Sequence, residues 1–186
     1  KDERFRSNPN VIAGPKIRTG AVATLEKKAR LQPGDRVRLV AEGAPRIDDQ
    51  IGFSAAVSLP EMVTRLSIGD RLRYDDGKLE AVVESLAEGE AVILVRRTKS
   101  GGTKLKPEKG INLPDTALGL SPLTAKDETD LATVIECADL IGYSFVSRPE
   151  DIDLLDDVLA RKGAGNKSLG LIAKIEQPLA PLQIAV

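Results

Sequence analysis

The chain has 186 residues and a formal net charge of −1, with 41% hydrophobic but only 3% aromatic residues. This composition supports a core of Val, Leu, Ile and Ala, and gives no indication of nucleic acid or an anionic membrane as a partner. The absence of histidine excludes a Ser-His-Asp triad and histidine-ligated zinc. No apolar run is long enough to span a bilayer, so we expect a cytoplasmic protein with no membrane segment. Because histidine is absent, any metal is expected to have mostly oxygen ligands. The single cysteine, Cys137, is expected to be a buried residue of a helix.

The first part of the chain is predicted to be a charged loop followed by one strand. This part comprises residues 1–21: residues 1–10 are charged and polar, and the strand is placed in residues 11–20. This strand could belong to the same sheet as the strands near the end of the chain. The region between them, residues 22–110, would then be an insertion.

Residues 22–110 have the pattern of a small all-β domain. Residues 31–40 and 66–75 each contain a Gly-Asp turn followed by alternating apolar and charged residues, which is the strand period. Asp75-Asp-Gly-Lys78 predicts a hairpin turn, with returning strands over 79–85 and 91–97. Ser100-Gly-Gly-Thr-Lys104 is interpreted as a further turn, rather than as a phosphate-binding loop. Short strands at this spacing indicate a small barrel or sandwich.

Residues 111–186 have an α/β pattern. A helix is predicted to begin after Thr124, with Asp127 in its first turn, and an apolar strand follows over 138–146. A second helix begins near Arg148 and ends at Gly163, and residues 169–176 are the next strand. Strand, helix and strand in this order predict a parallel sheet.

Lys174 and Glu176 are the strongest candidates for chemistry. Residues two apart on a strand face the same side, so both charges would project together at the carboxyl end of a parallel strand. A mutual ion pair is one interpretation. The other is a site in which the carboxylate holds a hard cation and the ammonium stabilises charge on a phosphate or an enolate oxygen.

Six motifs in one order resemble the pyruvate kinase family, in a divergent bacterial branch. The first and the last are Gly14-Pro-Lys-Ile-Arg-Thr-Gly20 and Lys174-Ile-Glu176. The others are Val57–Glu61 with Gly69–Leu72 and Asp75–Gly77, Lys109–Pro114, Leu123–Asp127 and Ser144–Val146. The resemblance implies an α/β fold: part of a TIM-type (β/α)8 barrel carrying an inserted small all-β barrel that acts as a lid.

The resemblance also implies a function and a set of site residues. The intact protein would transfer phosphate from phosphoenolpyruvate to ADP, giving pyruvate and ATP in glycolysis, with Mg²⁺ or Mn²⁺ as cofactor, and it would be a homo-oligomer. The resemblance implies that Lys174 stabilises the enolate and the phosphoryl group in transfer, and that Glu176 ligates the metal. Arg18 and Lys109 would contact the nucleotide phosphates. Asp76 would face the nucleotide-bound metal, and Ser144 would lie near the phosphate and monovalent-ion site.

The sequence departs from the family in two places that bear on activity. Val11 stands where the family has an aspartate that helps to bind K⁺, so a K⁺ requirement is left open. The family's second metal-binding aspartate would fall beyond Val186. We therefore expect a partial chain, inactive in isolation. A non-catalytic nucleotide- or phosphate-binding paralogue or regulatory module is the alternative, and a barrel lyase that forms an enolate is a third interpretation.

Overall fold

A computed structural model describes residues 9–26, 29–164 and 169–175. Contacts divide these residues into two units. Unit 1 comprises the described residues up to Pro15 together with those from Gly119 onwards, and unit 2 comprises those between Lys16 and Leu118. The lid predicted for residues 22–110 lies inside unit 2.

Unit 1 is built on a three-stranded parallel sheet flanked by two helices. Its strands are β1 (Pro9–Ile12), β9 (Leu140–Tyr143) and β10 (Gly170–Ala173), with β9 in the centre. The helices are α2 (Ala125–Cys137) and α3 (Pro149–Arg161). The predicted order of helix, strand, helix and strand after residue 120 is therefore confirmed, as is the parallel pairing of the last two strands.

Each helix of unit 1 has a buried aspartate at its third position that satisfies free backbone groups at the helix start. Asp127 accepts hydrogen bonds from the Thr124 backbone N–H (2.9 Å) and hydroxyl (2.5 Å), while its own N–H donates to that hydroxyl at 3.1 Å. Asp151 accepts from the backbone N–H groups of Ser147 and Arg148 at 2.8 and 3.1 Å. These capping contacts fix where the helices start, because the first N–H groups of a helix have no partner within it. The predicted cap at Thr124 is confirmed.

The core of unit 1 lies between the sheet and the two helices. Ten buried side chains form it: Ile12, Leu123, Leu131, Val134, Ala138, Ile141, Tyr143, Val146, Leu155 and Val158. The prediction that Cys137 is buried is wrong, since the residue is exposed at the end of α2. The buried face of this helix ends at Val134, and Ala138, just after the helix, takes the next buried position.

Unit 2 contains one mixed sheet of seven strands in the order β2-β4-β3-β7-β6-β5-β8. The strands are β2 (Thr19–Thr24), β3 (Arg36–Val40), β4 (Phe53–Val57), β5 (Arg71–Tyr74), β6 (Leu79–Ala87), β7 (Glu90–Thr98) and β8 (Ile111–Asn112). Only the β3–β4 pair is parallel among the described strand pairs of this sheet. A short helix, α1 (Glu61–Arg65), follows β4. The strands predicted from alternation correspond to β3, β5, β6 and β7.

The first and last segments of unit 2 pair with each other. Arg18 and Gly110 form an antiparallel bridge, and Thr19 N–H donates to Lys109 C=O at 2.9 Å. The Thr19 side chain is fully buried, and its hydroxyl donates to Lys106 C=O at 2.7 Å and accepts from Lys109 N–H at 3.0 Å. The two ends of the strand order are therefore joined through this pairing.

No helix within residues 9–26, 29–164 and 169–175 is long and apolar enough to cross a membrane.

Replacement of Thr19 by valine should destabilise unit 2 by about 1–3 kcal/mol, because it leaves the buried Lys106 C=O and Lys109 N–H without their hydroxyl partner. The free energy of unfolding in urea measures this. The matched control is Thr64→Val, at an exposed position of α1. An equal loss in the two variants would show that the Thr19 hydroxyl does not stabilise the junction.

Candidate functional site

The carboxyl ends of β9 and β10 bring together two of the residues singled out from the sequence. In the parallel register Tyr143 is level with Ala173, so the residues that follow, Ser144 and Lys174, are neighbours. The Lys174 Nζ donates a hydrogen bond to the Ser144 Oγ at 3.2 Å. Ser144 is buried, whereas Lys174 is exposed. A buried hydroxyl thus accepts a hydrogen bond from the ammonium group of an exposed lysine.

The backbone around this pair is fixed by further hydrogen bonds between the strands. Lys174 N–H donates to Tyr143 C=O at 2.7 Å, and Val146 N–H donates to Lys174 C=O at 3.2 Å. Ser144 N–H donates to Ile12 C=O at 3.2 Å, which ties β1 to the same end of the sheet. Because three strands contribute, the position of the hydroxyl and the ammonium depends on the sheet rather than on a free loop.

Next to Ser144 the chain adopts a left-handed conformation that is rare for a bulky residue. Phe145 has φ +61°, and Gly14, after β1, has φ +66°. A Cβ on Gly14 would lie 2.9 Å from the Phe145 ring and 3.1 Å from the Pro122 carbonyl oxygen. Glycine is therefore required at position 14 for two reasons, its backbone conformation and the close approach of Phe145. Sequence reasoning quoted Gly14 as a motif residue but did not identify this packing role.

Tyr143, just before Ser144, is fully buried, and its hydroxyl has no hydrogen-bond partner within the described part of the chain. Burial raises the pKa of this phenol above its ordinary value, and the negative charges of Asp151 and Asp127 raise it further. This shift favours the neutral, protonated phenol.

Unit 2 carries three further predicted site residues, Arg18, Lys109 and Asp76. Arg18 lies on the incoming segment, half-buried, with its guanidinium 3.4 Å from Glu108 C=O. Lys109 lies on the outgoing segment, and the bridge between Arg18 and Gly110 brings these two cations to neighbouring positions. The pairing at the ends of unit 2 is thus what places them together.

The hairpin turn between β5 and β6 presents two aspartates with different environments. Asp75 and Asp76 both have positive φ, +49° and +55°, and Lys78 N–H closes the turn onto Asp75 C=O at 3.2 Å. Asp76 is exposed. Asp75, which sequence reasoning did not assign, lies 2.9 Å from the Lys78 ammonium and 3.2 Å from the Lys109 ammonium.

These two ammonium groups change the titration of the Asp75 carboxylate. Lys78, followed by Lys109, lowers the pKa of Asp75 below its ordinary value of 3.8, against the opposing effect of partial burial. A depressed pKa in the folded state adds stability that is present above 3.8 and is lost as the pH falls below that value. The Asp75–Lys109 contact is therefore ionic at neutral pH.

No cluster of three or more Asp, Glu, Cys or His side chains lies within the described ranges. Glu176, the residue assigned to the metal, lies outside them. Because Asp75 is occupied by two lysines and Asp76 stands alone on a turn, these residues do not by themselves assemble a site for Mg²⁺ or Mn²⁺. Val11, in β1, offers no ligand atom from its side chain.

Comparison with known proteins decides the family. The family described as "Pyruvate kinase, barrel domain" matches residues 10–180. The chain belongs to the pyruvate kinase family. It is 34% identical over 170 residues to the pyruvate kinase of Methylorubrum extorquens, covering 91% of this chain and 32% of that protein. It is 32% identical over 170 residues to the pyruvate kinase of Mycobacterium intracellulare, covering 91% of this chain and 33% of that protein.

Similarity extends to a distant eukaryotic relative. Human pyruvate kinase PKLR is 32% identical over 166 residues, covering 88% of this chain and 27% of that protein. The chain therefore spans about a third or less of the length of these pyruvate kinases. The family resemblance predicted from the six motifs is confirmed.

Replacement of Gly14 by alanine should destabilise unit 1 more than the same change at Gly163. Both glycines have positive φ, but a Cβ at Gly163 meets no atom of the described residues within 4 Å, whereas at Gly14 it meets Phe145 and Pro122. Backbone strain alone costs about 1–2 kcal/mol and applies to both. The difference between the two free energies of unfolding measures the clash, and equal values would contradict the close packing of Phe145.

Replacement of Lys109 by methionine should raise the pKa of Asp75, because the variant lacks one of the two ammonium groups that lower it. The ionised Asp75 carboxylate should then contribute less to the stability of unit 2 at neutral pH. Lys78→Met should raise the pKa further, since its ammonium has the larger effect. The carboxyl carbon shift of Asp75 followed between about pH 6 and pH 2 measures this. Lys162→Met, in unit 1, is the control and should leave the titration midpoint where it is. An unchanged midpoint in Lys109→Met would contradict the ion pair.

Proposed function

We propose that the intact polypeptide containing this chain is a pyruvate-kinase-type phosphotransferase, which transfers phosphate from phosphoenolpyruvate to ADP. Membership of the pyruvate kinase family supports this. The observation that supports particular residues for this reaction is the hydrogen bond from the Lys174 ammonium to the Ser144 hydroxyl, at the carboxyl end of a parallel sheet. Ligands of α/β folds bind at this end.

In the proposed reaction, the bond between phosphorus and the enol oxygen breaks as a new bond forms to the terminal oxygen of ADP. The enolate that leaves carries a negative charge, and it takes up a proton to become pyruvate. A cation beside the enolate oxygen lowers the energy of this charge more in the transition state than in the substrate. Lys174 is assigned this role, with Ser144 as the residue that positions its side chain. Phosphoryl transfer needs cations around the phosphate more than a proton shuttle, which suits a chain without histidine.

The remaining assignments belong to the same proposal. Arg18 and Lys109 would contact nucleotide phosphates, Asp76 would face the metal bound to the nucleotide, and Glu176 would ligate Mg²⁺ or Mn²⁺ with groups from the rest of the polypeptide. Unit 2 would be a small all-β lid inserted into a (β/α)8 barrel, of which β1, β9 and β10 are three strands. We also propose that the intact protein is cytoplasmic and homo-oligomeric.

The second candidate is a paralogue that binds nucleotide or phosphate without turnover. It is favoured by Val11, whose side chain cannot ligate K⁺ at the position where the resemblance implies an aspartate.

The deciding experiment measures pyruvate formation from phosphoenolpyruvate and ADP by the full-length polypeptide with Mg²⁺. We expect turnover that falls by at least about a thousandfold in Lys174→Ala and by about tenfold in Ser144→Ala, since a preorganised charge contact contributes several kcal/mol to the transition state. Lys162→Ala, an exposed lysine of unit 1, should keep full activity. Omission of K⁺ tests whether Val11 has removed the requirement.

Full activity in Lys174→Ala would overturn the assignment of this residue. A folded protein that binds ADP but forms no pyruvate, with or without K⁺, would establish the non-catalytic candidate instead. Consumption of a related 2-oxo acid without phosphate transfer would indicate a lyase.

A further inference from the structure

Phe145, the residue after Ser144, has a backbone conformation that is rare for an aromatic residue. The other non-glycine residues with positive φ in the described part of the chain are Asp75, Asp76 and Glu108. Asp75 and Asp76 form a hairpin turn, in which this conformation is expected. Phe145 instead follows the end of β9, and a strained bulky residue beside a candidate site points to a function.

The left-handed conformation changes which strand the following residue contacts. In a regular strand, N–H groups two residues apart point towards the same neighbouring strand. Ser144 N–H donates to Ile12 C=O in β1 at 3.2 Å. Val146 N–H, two residues later, donates instead to Lys174 C=O, just after β10, also at 3.2 Å. The reversal occurs at Phe145, which therefore turns the chain from β1 towards the residue that carries the ammonium.

Lys174 contacts the residue on each side of Phe145. Its ammonium donates to the Ser144 hydroxyl at 3.2 Å, and its C=O accepts from Val146 N–H at 3.2 Å. Its own N–H donates to Tyr143 C=O at 2.7 Å. The geometry of the first two contacts depends on φ of Phe145, because this angle sets the direction of the chain between the two partners.

The ring of Phe145 packs so closely that it can hold this conformation. A Cβ added to Gly14 would lie 2.9 Å from the ring carbon Cδ2 and 3.5 Å from the Phe145 Cβ, so the side chain lies directly against Gly14. The chain beyond is fixed as well, since Val146 is buried and Ser147 N–H donates to Asp151 at 2.8 Å. Backbone strain persists where surrounding contacts of this kind leave the residue no alternative.

We propose that Phe145 is a positioning residue, whose ring packs on Gly14 and so fixes the place of the Lys174 ammonium. The inference rests on the proposed function, in which this ammonium stabilises the charge of the enolate. A cation can act in this way only when its backbone is also fixed, since a displacement of about 1 Å lowers a rate by about a hundredfold. Phe145 is assigned no contact with the reacting atoms, only an effect through Ser144 and Lys174.

The kinetic test measures pyruvate formation by variants of the full-length polypeptide with phosphoenolpyruvate, ADP and Mg²⁺. Phe145→Ala should lower kcat by about tenfold, as expected for Ser144→Ala, and leave the KM for ADP unchanged. The double variant should be within about threefold of Ser144→Ala alone, because residues that act through one contact are not additive. Phe53→Ala, which removes a half-buried phenylalanine of unit 2, should keep full kcat. A loss of about a hundredfold in the double variant, the product of the two single effects, would overturn the proposal.

Phe145→Gly separates positioning from stability. Glycine adopts φ +61° without strain, so this variant should unfold at a higher urea concentration than Phe145→Ala. Because no ring then packs on Gly14, its kcat should nevertheless be as low as that of Phe145→Ala. Recovery of kcat together with stability would show that Phe145 serves only the fold.

Amide hydrogen exchange, measured without substrates, tests the positioning independently of activity. The N–H groups of Val146 and Lys174 should exchange at least about tenfold faster in Phe145→Ala than in the parent protein, since their hydrogen bonds between the strands loosen. Phe53→Ala should leave both rates unchanged. A parent protein that forms no pyruvate would refute the proposed function, whereas unchanged exchange in Phe145→Ala would refute the positioning role.

Discussion

The parallel register between β9 and β10 is the constraint on which the candidate site of unit 1 depends. Two parallel strands in register end together, and the residue after each end projects into the same space. Ser144 and Lys174, thirty positions apart in the chain, meet only because Tyr143 is level with Ala173. The buried aspartates in the first turns of α2 and α3 fix where the helices before and after β9 begin. A shift of one residue would separate the hydroxyl from the ammonium.

Some of the site residues could be identified from the sequence pattern alone, and others could not. The ends of apolar strands can be located in a sequence, so Lys174 and Ser144 could both be identified as strand-end residues, and their proximity follows from parallel pairing. Asp75 could not be distinguished from Asp76 in this way, because both sit in one turn and only the folded backbone shows which carboxylate faces Lys109. The role of Gly14 was hidden for a similar reason. Its clash partner Phe145 lies far along the chain and has an unusual conformation that no local signal predicts.

Prediction of the fold failed where local patterns were weak. Strands with clear alternation, such as β6 and β7, were located from the sequence, and the capping residue Thr124 placed the start of α2. β2, β4, β8 and the short helix α1 were missed, since elements of two to six residues carry too little periodicity to be recognised. Cys137 was expected to be buried because it follows Val134 at helical spacing, but the helix ends there and Ala138 fills the core instead.

The pairing of residues 17–19 with residues 108–111 has a consequence for how such a protein could arise. A segment whose two ends lie side by side can be added between a strand and the helix that follows it without moving either one. The residues that precede such a segment and those that follow it then need only to come close to each other. Deletion of the segment between Arg18 and Gly110 would leave a short gap rather than a long one, so unit 2 could vary in size and sequence among relatives while the sheet of unit 1 stays intact.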